Sequence, residues 1–230
     1  MTPALILILK MEPIAAIGTD LIYASITKFV GAVKHIRLGN VRWRIVKYLS
    51  YGSIPGALVG SYLVSRVELD ATPMLEVRIQ QLLGVMLILV AAIIVWRAFR
   101  AGPVEGAEER KDFVGRRHWV VLLGVLVGML VSLTSVGSGA IVMAALLLWF
   151  PLGTSSLVGT DIVHAVVLLG VAGLSHLIQG HADLRVSGLL LLGSLPGVWI
   201  GASLVGRLPE RAVKVVLAAL VLSSGLGLLA

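Results

Sequence analysis

The sequence has no cysteine and little charge. Only 13% of the 230 residues are charged, whereas a soluble domain has about 25%. Without cysteine the chain has no disulfide bonds, no cysteine-ligated metal and no thiol chemistry. Sparse charge, 58% hydrophobic residues and a mean hydropathy of +1.00 exclude a soluble enzyme, a disordered tail and a fibrous protein. We therefore interpret the chain as an integral membrane protein.

The formal net charge of +7 raises the question of a nucleic-acid partner. The chain has no basic soluble domain that could carry such an interaction. In a membrane protein, excess Lys and Arg instead reflects topology and contacts with anionic lipids. We expect the lipid bilayer as a partner and no nucleic acid.

Long apolar runs predict an all-α, polytopic helical bundle. Runs long enough to cross a bilayer, roughly 20 residues, lie at 13–33, 45–64, 79–96, 157–177, 184–205 and 213–229. Segment 119–150 is too long for one crossing, and its residues 134–139 are poor helix formers. We expect a break there, either within one long span or at the tip of a re-entrant hairpin.

The chain contains an internal repeat. A shift of 141 residues aligns 18–66 with 159–207 without a gap. Shared hydrophobicity does not explain the matched polar, glycine and proline residues, which include Gly18-Thr19-Asp20 with Gly159-Thr160-Asp161, His35 with His176, Gly39 with Gly180, and Pro55-Gly56 with Pro196-Gly197. Two homologous halves in a membrane chain are typical of a transporter with its site between the halves.

The repeat predicts the domain organisation. Residues 1–99 form a first membrane repeat, 100–118 a cytoplasmic linker and 119–230 a second membrane repeat. We count two four-span halves, with about seven full spans and an N-terminal stub. An even number of spans predicts halves related by an axis along the membrane normal. The side richer in Lys and Arg should be cytoplasmic, which places the C-terminus inside.

The same shift pairs Met1 with Val142. The counterpart of 119–141 would therefore precede Met1, and we expect the first repeat to lack its opening part. A late start codon and a shortened gene both account for this.

Several motifs together resemble the sulfite exporter TauE/SafE family over nearly the whole chain. They are Ala16-Ile17-Gly18-Thr19-Asp20-Leu21-Ile22-Tyr23-Ala24, Ile26-Thr27-Lys28, Gly52-Ser53-Ile54-Pro55-Gly56, Gly137-Ser138-Gly139 and Gly159-Thr160-Asp161. The resemblance implies about eight spans and the export or permeation of small sulfur-containing anions, with no cofactor. The Gly-rich segment that opens each repeat in that family is present here only in the second half.

Two carboxylates and one ammonium group lie within apolar segments, where a charge is costly and usually functional. Asp20 and Asp161 are candidates for coupling or gating, with helix capping or structural pairing as the alternative. Lys28 is a candidate anchor for an anionic substrate. An ion pair with Asp20 or Asp161 and snorkelling to the interface are its alternatives.

Hydroxyl groups and free backbone N–H groups at a helix break can bind an oxyanion. This chemistry points to Thr19, Thr160, Ser135, Gly137, Ser138 and Gly139 as candidate substrate-binding residues. Close helix packing is the alternative reading of these small residues.

Glycines recur every four residues in two stretches, 52–60 and 193–201. Such a stripe favours close packing of helices. Pro55 and Pro196 predict a kink within each stretch, which could serve gating.

Together these features predict a membrane transporter that moves small sulfur-containing anions (sulfite, thiosulfate or organosulfonates) across the cytoplasmic membrane, most simply as an exporter. Its site should lie near the midplane between the halves. No catalytic motif or metal-ligand set stands out, so we expect neither an enzyme nor a metal site. A passive anion channel and a non-transporting assembly module are the alternatives, and the sequence leaves a homodimer open.

Overall fold

The computed structural model describes residues 1–69, 109–136, 138–150, 152 and 154–205, with isolated positions at 81, 85, 88, 92 and 226. Seven helices account for most of these residues: α1 Thr2–Leu7, α2 Pro13–Arg37, α3 Trp43–Leu69, α4 Glu109–Thr134, α5 Ser138–Trp149, α6 Thr154–Ile178 and α7 Leu184–Val205. The all-α prediction is confirmed for this part of the chain. The predicted spans 79–96 and 213–229 fall almost entirely outside it.

The helices match the apolar runs of the sequence. Helices α2, α3, α6 and α7 coincide with the predicted runs 13–33, 45–64, 157–177 and 184–205 within a few residues. By length and composition, three segments among the described residues suit a membrane crossing: Pro13–Arg37, Arg116–Thr134 and Ser155–Ile178. Helix α4 already begins at Glu109, inside the segment predicted as a linker.

Helices α4 and α5 form a helical hairpin. At about 1.5 Å rise per residue, one straight helix would separate Arg116 from Trp149 by about 50 Å. Instead, the Arg116 guanidinium donates a hydrogen bond to the Trp149 carbonyl, so α5 returns along α4. Ser135 has a positive φ of 55°, a backbone conformation that stops a helix. The predicted break is therefore the tip of a hairpin.

Helices α2 and α6 end in the same way. Gly39 and Gly180 have φ values of 69° and 81°, which glycine adopts without strain. The next residues, Asn40 and His181, donate backbone N–H hydrogen bonds five positions back. This is the Schellman arrangement, which uses the last helical carbonyls. The glycines matched by the 141-residue shift thus perform the same structural task.

Helices α2 and α6 pack against each other in opposite directions. Gly18, near the start of α2, lies against His181 just beyond the end of α6; a Cβ there would be 2.2 Å from the His181 carbonyl oxygen. Gly159, near the start of α6, lies against Asn40 just beyond α2, with a corresponding distance of 2.4 Å. The two helices are matched by the repeat, so the prediction of parallel halves is wrong for them.

The physical reason for this correction is the hairpin. Sequence counting treats 119–150 as one crossing of the membrane. Because α4 and α5 run in opposite directions, the segment returns to the side from which it started. Helices α6 and α7 therefore run opposite to the direction that the count gave them. The C-terminus lies outside the described residues, and the prediction that it is cytoplasmic relied on the same count.

Glycines bring α3 and α4 into direct backbone contact. A Cβ at Gly52 would be 2.0 Å from the Val121 carbonyl oxygen, and one at Gly56 would be 2.3 Å from that of Val125. From the other side, Gly124 and Gly128 lie against the backbone of α3 in the same register. The stripe at 52–60 therefore packs two helices at close range and in parallel, as small residues do in membrane bundles.

Candidate functional site

Asp20 is a junction between three parts of the chain. It is 4% exposed. Its Oδ2 accepts hydrogen bonds from the Thr2 backbone N–H at 2.9 Å, from Thr2 Oγ1 at 2.7 Å and from Ser135 Oγ at 2.8 Å. The Met1 amino group also lies 2.9 Å from this oxygen. Asp20 of α2 thereby links the start of α1 to the hairpin tip.

Asp161, the matched residue on α6, lies beside the start of α5. It is 6% exposed, and a Cβ on Gly139 would be 3.2 Å from its Oδ2. Gly139 is the second residue of α5. The N-terminus of a helix carries a partial positive charge, which stabilises a nearby carboxylate. Both aspartates therefore lie beside helix beginnings near the hairpin tip.

Lys28 lies two turns further along α2 than Asp20. It interacts electrostatically with Asp161 and, more weakly, with Asp20. Its side chain is half-buried. The arrangement agrees with the ion-pair interpretation of Lys28 and places its charge where α2 meets α6.

The hydroxyl groups of Thr19 and Thr160 are used in tertiary contacts. Thr19 Oγ1 accepts a hydrogen bond from the Asp183 N–H at 3.0 Å, and Thr160 Oγ1 accepts one from the Arg42 N–H at 3.0 Å. Both threonines are fully buried. Their observed contacts anchor the loops that follow α2 and α6.

The other predicted site residues are distributed as follows. Ser135 and Gly139 flank the hairpin tip beside the two aspartates. Ser138 begins α5, while Gly137 lies outside the described residues. Pro55 and Pro196 are inside α3 and α7 and are exposed, unlike the buried aspartates.

Sequence reasoning missed His164. It lies on α6 three residues after Asp161 and is fully buried. Its Nε2 is 2.9 Å from Ser53 Oγ of α3, and it interacts electrostatically with Lys28. The available signal was an ionisable residue in an apolar run, less than one turn from a carboxylate. Five residues thus form a polar group, here named the central cluster: Asp20, Lys28, Ser135, Asp161 and His164.

The central cluster combines opposite charges with hydroxyl and imidazole groups where α2, α6 and the hairpin tip meet. Such a set can bind a small ion and can exchange protons. Within the described ranges, no three His, Asp or Glu side chains are arranged to hold a metal ion.

Comparison with known proteins defines the family. The model of the family "Sulfite exporter TauE/SafE" matches residues 1–228. The chain belongs to the sulfite exporter TauE/SafE family. As a TauE/SafE member it is a membrane transporter protein, in agreement with its apolar helices.

Curated relatives of the chain include proteins of Bacillus subtilis (strain 168). The chain is 37% identical to "Probable membrane transporter protein YjnA" over 230 residues, covering all of this chain and 90% of the relative. It is 26% identical to "Probable membrane transporter protein YdhB", covering 92% of this chain and 83% of that protein. No solved structure matches the chain.

Proposed function

We propose that this TauE/SafE protein exports small sulfur-containing anions (sulfite, thiosulfate or organosulfonates), which bind at the central cluster. The observation that carries the proposal is the position of Lys28. It lies in a helix that is long and apolar enough to cross a membrane, and it interacts with carboxylates on two helices. A partly buried ammonium group needs a negative partner, and an incoming anion can supply one in exchange for a carboxylate.

Lys28 changes its negative partner when an anion binds. In the structure, Asp161 and, more weakly, Asp20 compensate its charge. An arriving oxyanion takes over that role, and hydroxyl or backbone N–H groups near the start of α5 can complete its hydrogen bonds. Asp161 and Asp20 then act in coupling or gating, because their interactions with Lys28 change with occupancy. The exposed Pro55 and Pro196 are proposed kinks for the accompanying helix movement.

We further propose that the two halves are related by an axis in the membrane plane. The antiparallel contact of α2 with α6 supports this, because its paired contacts repeat after the 141-residue shift. Inverted repeats of this kind place a transporter site near the bilayer midplane, where rocking of one half against the other alternates access.

The described basic residues support one orientation. The side that holds the α2–α3 loop and the start of α4 carries Lys34, Arg37, Arg42, Arg44, Lys47, Arg116 and Arg117, whereas the opposite side carries Lys10, Arg66 and Arg185. The richer side is the cytoplasmic side under the positive-inside rule. Export would then proceed from the α2–α3 loop towards the loop that follows α6.

Flux through proteoliposomes tests the function. Purified protein is reconstituted, and efflux of radiolabelled thiosulfate and isethionate is measured for the wild type and for Lys28→Ala. Losing a charge-assisted contact should weaken apparent affinity about 10-fold to 100-fold. Lys28→Arg should retain part of the activity, because it keeps the positive charge.

The matched control is Lys34→Ala, which removes an exposed lysine from the same helix and should match the wild type. Wild-type flux with Lys28→Ala would remove Lys28 from the site. Flux that never exceeds the imposed gradient would indicate a passive channel, and an absence of flux with every anion would overturn the transport proposal.

A further inference from the structure

His164 is placed to take part in anion binding. It is fully buried on α6, on the same helix as Asp161, and interacts electrostatically with Lys28 of α2. Ser53 of α3 holds its Nε2 at 2.9 Å. Its Nδ1 is buried and has no hydrogen-bond partner among the described residues. Nδ1 of His176 shares this feature; His164 differs from it by its electrostatic interaction with Lys28.

We propose that His164 contacts the transported anion together with Lys28 and takes up one proton when the anion binds. This inference rests on the proposed function and names its coupling ion. The proton comes from water on the loading side and leaves with the anion on the other side. For a sulfonate, which carries one negative charge, the anion and the proton then cross without net charge.

Electrostatics link the two binding events. A protonated imidazole beside the Lys28 ammonium would place two positive charges in a buried region, where they repel each other strongly. A bound anion attracts both charged groups and offsets that repulsion. Anion and proton should therefore bind together.

The partner of Nε2 suits both protonation states. A serine hydroxyl can donate a hydrogen bond to a neutral ring nitrogen or accept one from a protonated ring. Ser53 can therefore hold the imidazole in place while the proton is gained or lost. Nδ1, the other nitrogen, stays available for the anion.

The charged groups around His164 come from two helices. Lys28 extends from α2, with Asp20 on the same helix, and Asp161 lies on α6 itself. Helix α3 contributes the uncharged Ser53 hydroxyl. Lys28 interacts with both carboxylates, and Asp20 is also paired with the Met1 amino group. An anion that binds beside Lys28 therefore changes the electrostatic environment of His164.

Isothermal titration calorimetry counts the proton directly. Isethionate is titrated into the detergent-solubilised full chain at neutral pH, in two buffers with different heats of ionisation. A sulfonate stays ionised in this range, so a buffer-dependent heat reports protons exchanged by the protein. We expect uptake of up to about one proton per anion in the wild type, since one imidazole binds one proton, and close to none in His164→Gln.

The matched control is His176→Gln. His176 is also fully buried on α6, where its Nε2 lies 2.9 Å from the Ser132 carbonyl oxygen. Because it is placed outside the central cluster, this variant should keep the wild-type proton count. A structural effect of removing any buried histidine would appear in both variants.

The outcomes separate this inference from the function on which it rests. Wild-type binding without proton uptake overturns the role of His164 and leaves anion transport standing, as does unchanged uptake in His164→Gln. No wild-type binding of any sulfur anion overturns the proposed function itself. If His164→Gln does not fold, Ser53→Ala replaces it. Loss of the hydrogen bond between Ser53 and His164 should weaken anion binding about 3-fold to 10-fold. An unchanged affinity and an unchanged proton count in Ser53→Ala would contradict the proposal.

Discussion

The backbone N–H of Asp183 donates a hydrogen bond to Oγ1 of Thr19 over 3.0 Å. This bond ties the loop after α6 to the first part of α2. An equivalent bond joins the Arg42 N–H to Thr160. The two threonines are 141 positions apart, and so are the two donors. Each of the two central helices thus holds the loop that follows the other.

Removing either threonine hydroxyl should loosen the contact between α2 and α6. We expect Thr19→Ala and Thr160→Ala each to lower the free energy of unfolding by about 1 kcal/mol, the net contribution of one hydrogen bond. Each variant also leaves a backbone N–H without its partner, which adds to the cost. Thermal unfolding in detergent, followed by circular dichroism, measures the effect.

Thr27→Ala is the control for this prediction. Its hydroxyl donates to the Tyr23 carbonyl within α2 at 2.9 Å and ties no loop to a helix. It should cost clearly less than the two loop-anchoring threonines. An equal loss in all three variants would indicate that the threonine bonds to the loops have no special stabilising role.

Glycines matched by the repeat should respond to alanine with opposite signs. Gly52→Ala would place a Cβ 2.0 Å from the Val121 carbonyl oxygen, which forces α3 and α4 apart and should cost about 1–3 kcal/mol. At Gly193, no atom of the described residues lies within 4 Å of an added Cβ. There, alanine should stabilise the helix by about 0.5–1 kcal/mol. Melting temperatures that move in the same direction would contradict this difference in packing.

The carboxylate of Asp20 should be needed for stability as well as for transport. Asp20→Asn replaces a carboxylate that accepts bonds from Thr2 and Ser135, and bonds to a charged group contribute about 1.5–3 kcal/mol. We expect a lower midpoint of unfolding and faster proteolysis at the hairpin tip. The control is Glu12→Gln, which removes an exposed carboxylate just before α2 and should leave the midpoint and the proteolysis rate unchanged. An unaltered midpoint in Asp20→Asn would contradict the structural role and leave Asp20 a role in coupling alone.

The absence of cysteine makes the orientation directly measurable. Single cysteines at exposed positions, Leu38→Cys and Arg185→Cys, lie on the loops after α2 and α6. A membrane-impermeant maleimide added to intact cells should label Arg185→Cys at once and Leu38→Cys only after permeabilisation. Labelling from one side at both positions would contradict the antiparallel arrangement, and the reverse pattern would invert the proposed orientation.

The sequence predicted much of the central region because intramembrane charge is rarely accidental. Asp20, Asp161 and Lys28 stand out in apolar runs, and the structure brings them into one cluster. His164 was missed because nothing in its one-dimensional context shows that Ser53, 111 positions earlier, is its partner. Thr19 and Thr160 were selected for their hydroxyls, but their loop contacts depend on the packing of helices distant in sequence.

The sequence by itself determined the membrane class, helices α2, α3, α6 and α7 and the 141-residue repeat, because these follow from local hydrophobicity and matched residues. It also placed the break at 134–139, since Ser and Gly favour no helix there. Only the tertiary structure decided the direction of α5. A turn at Ser135 and a straight break differ in backbone angles that residue type does not dictate. That one change of direction makes α2 and α6 antiparallel and brings the hairpin tip to Asp20.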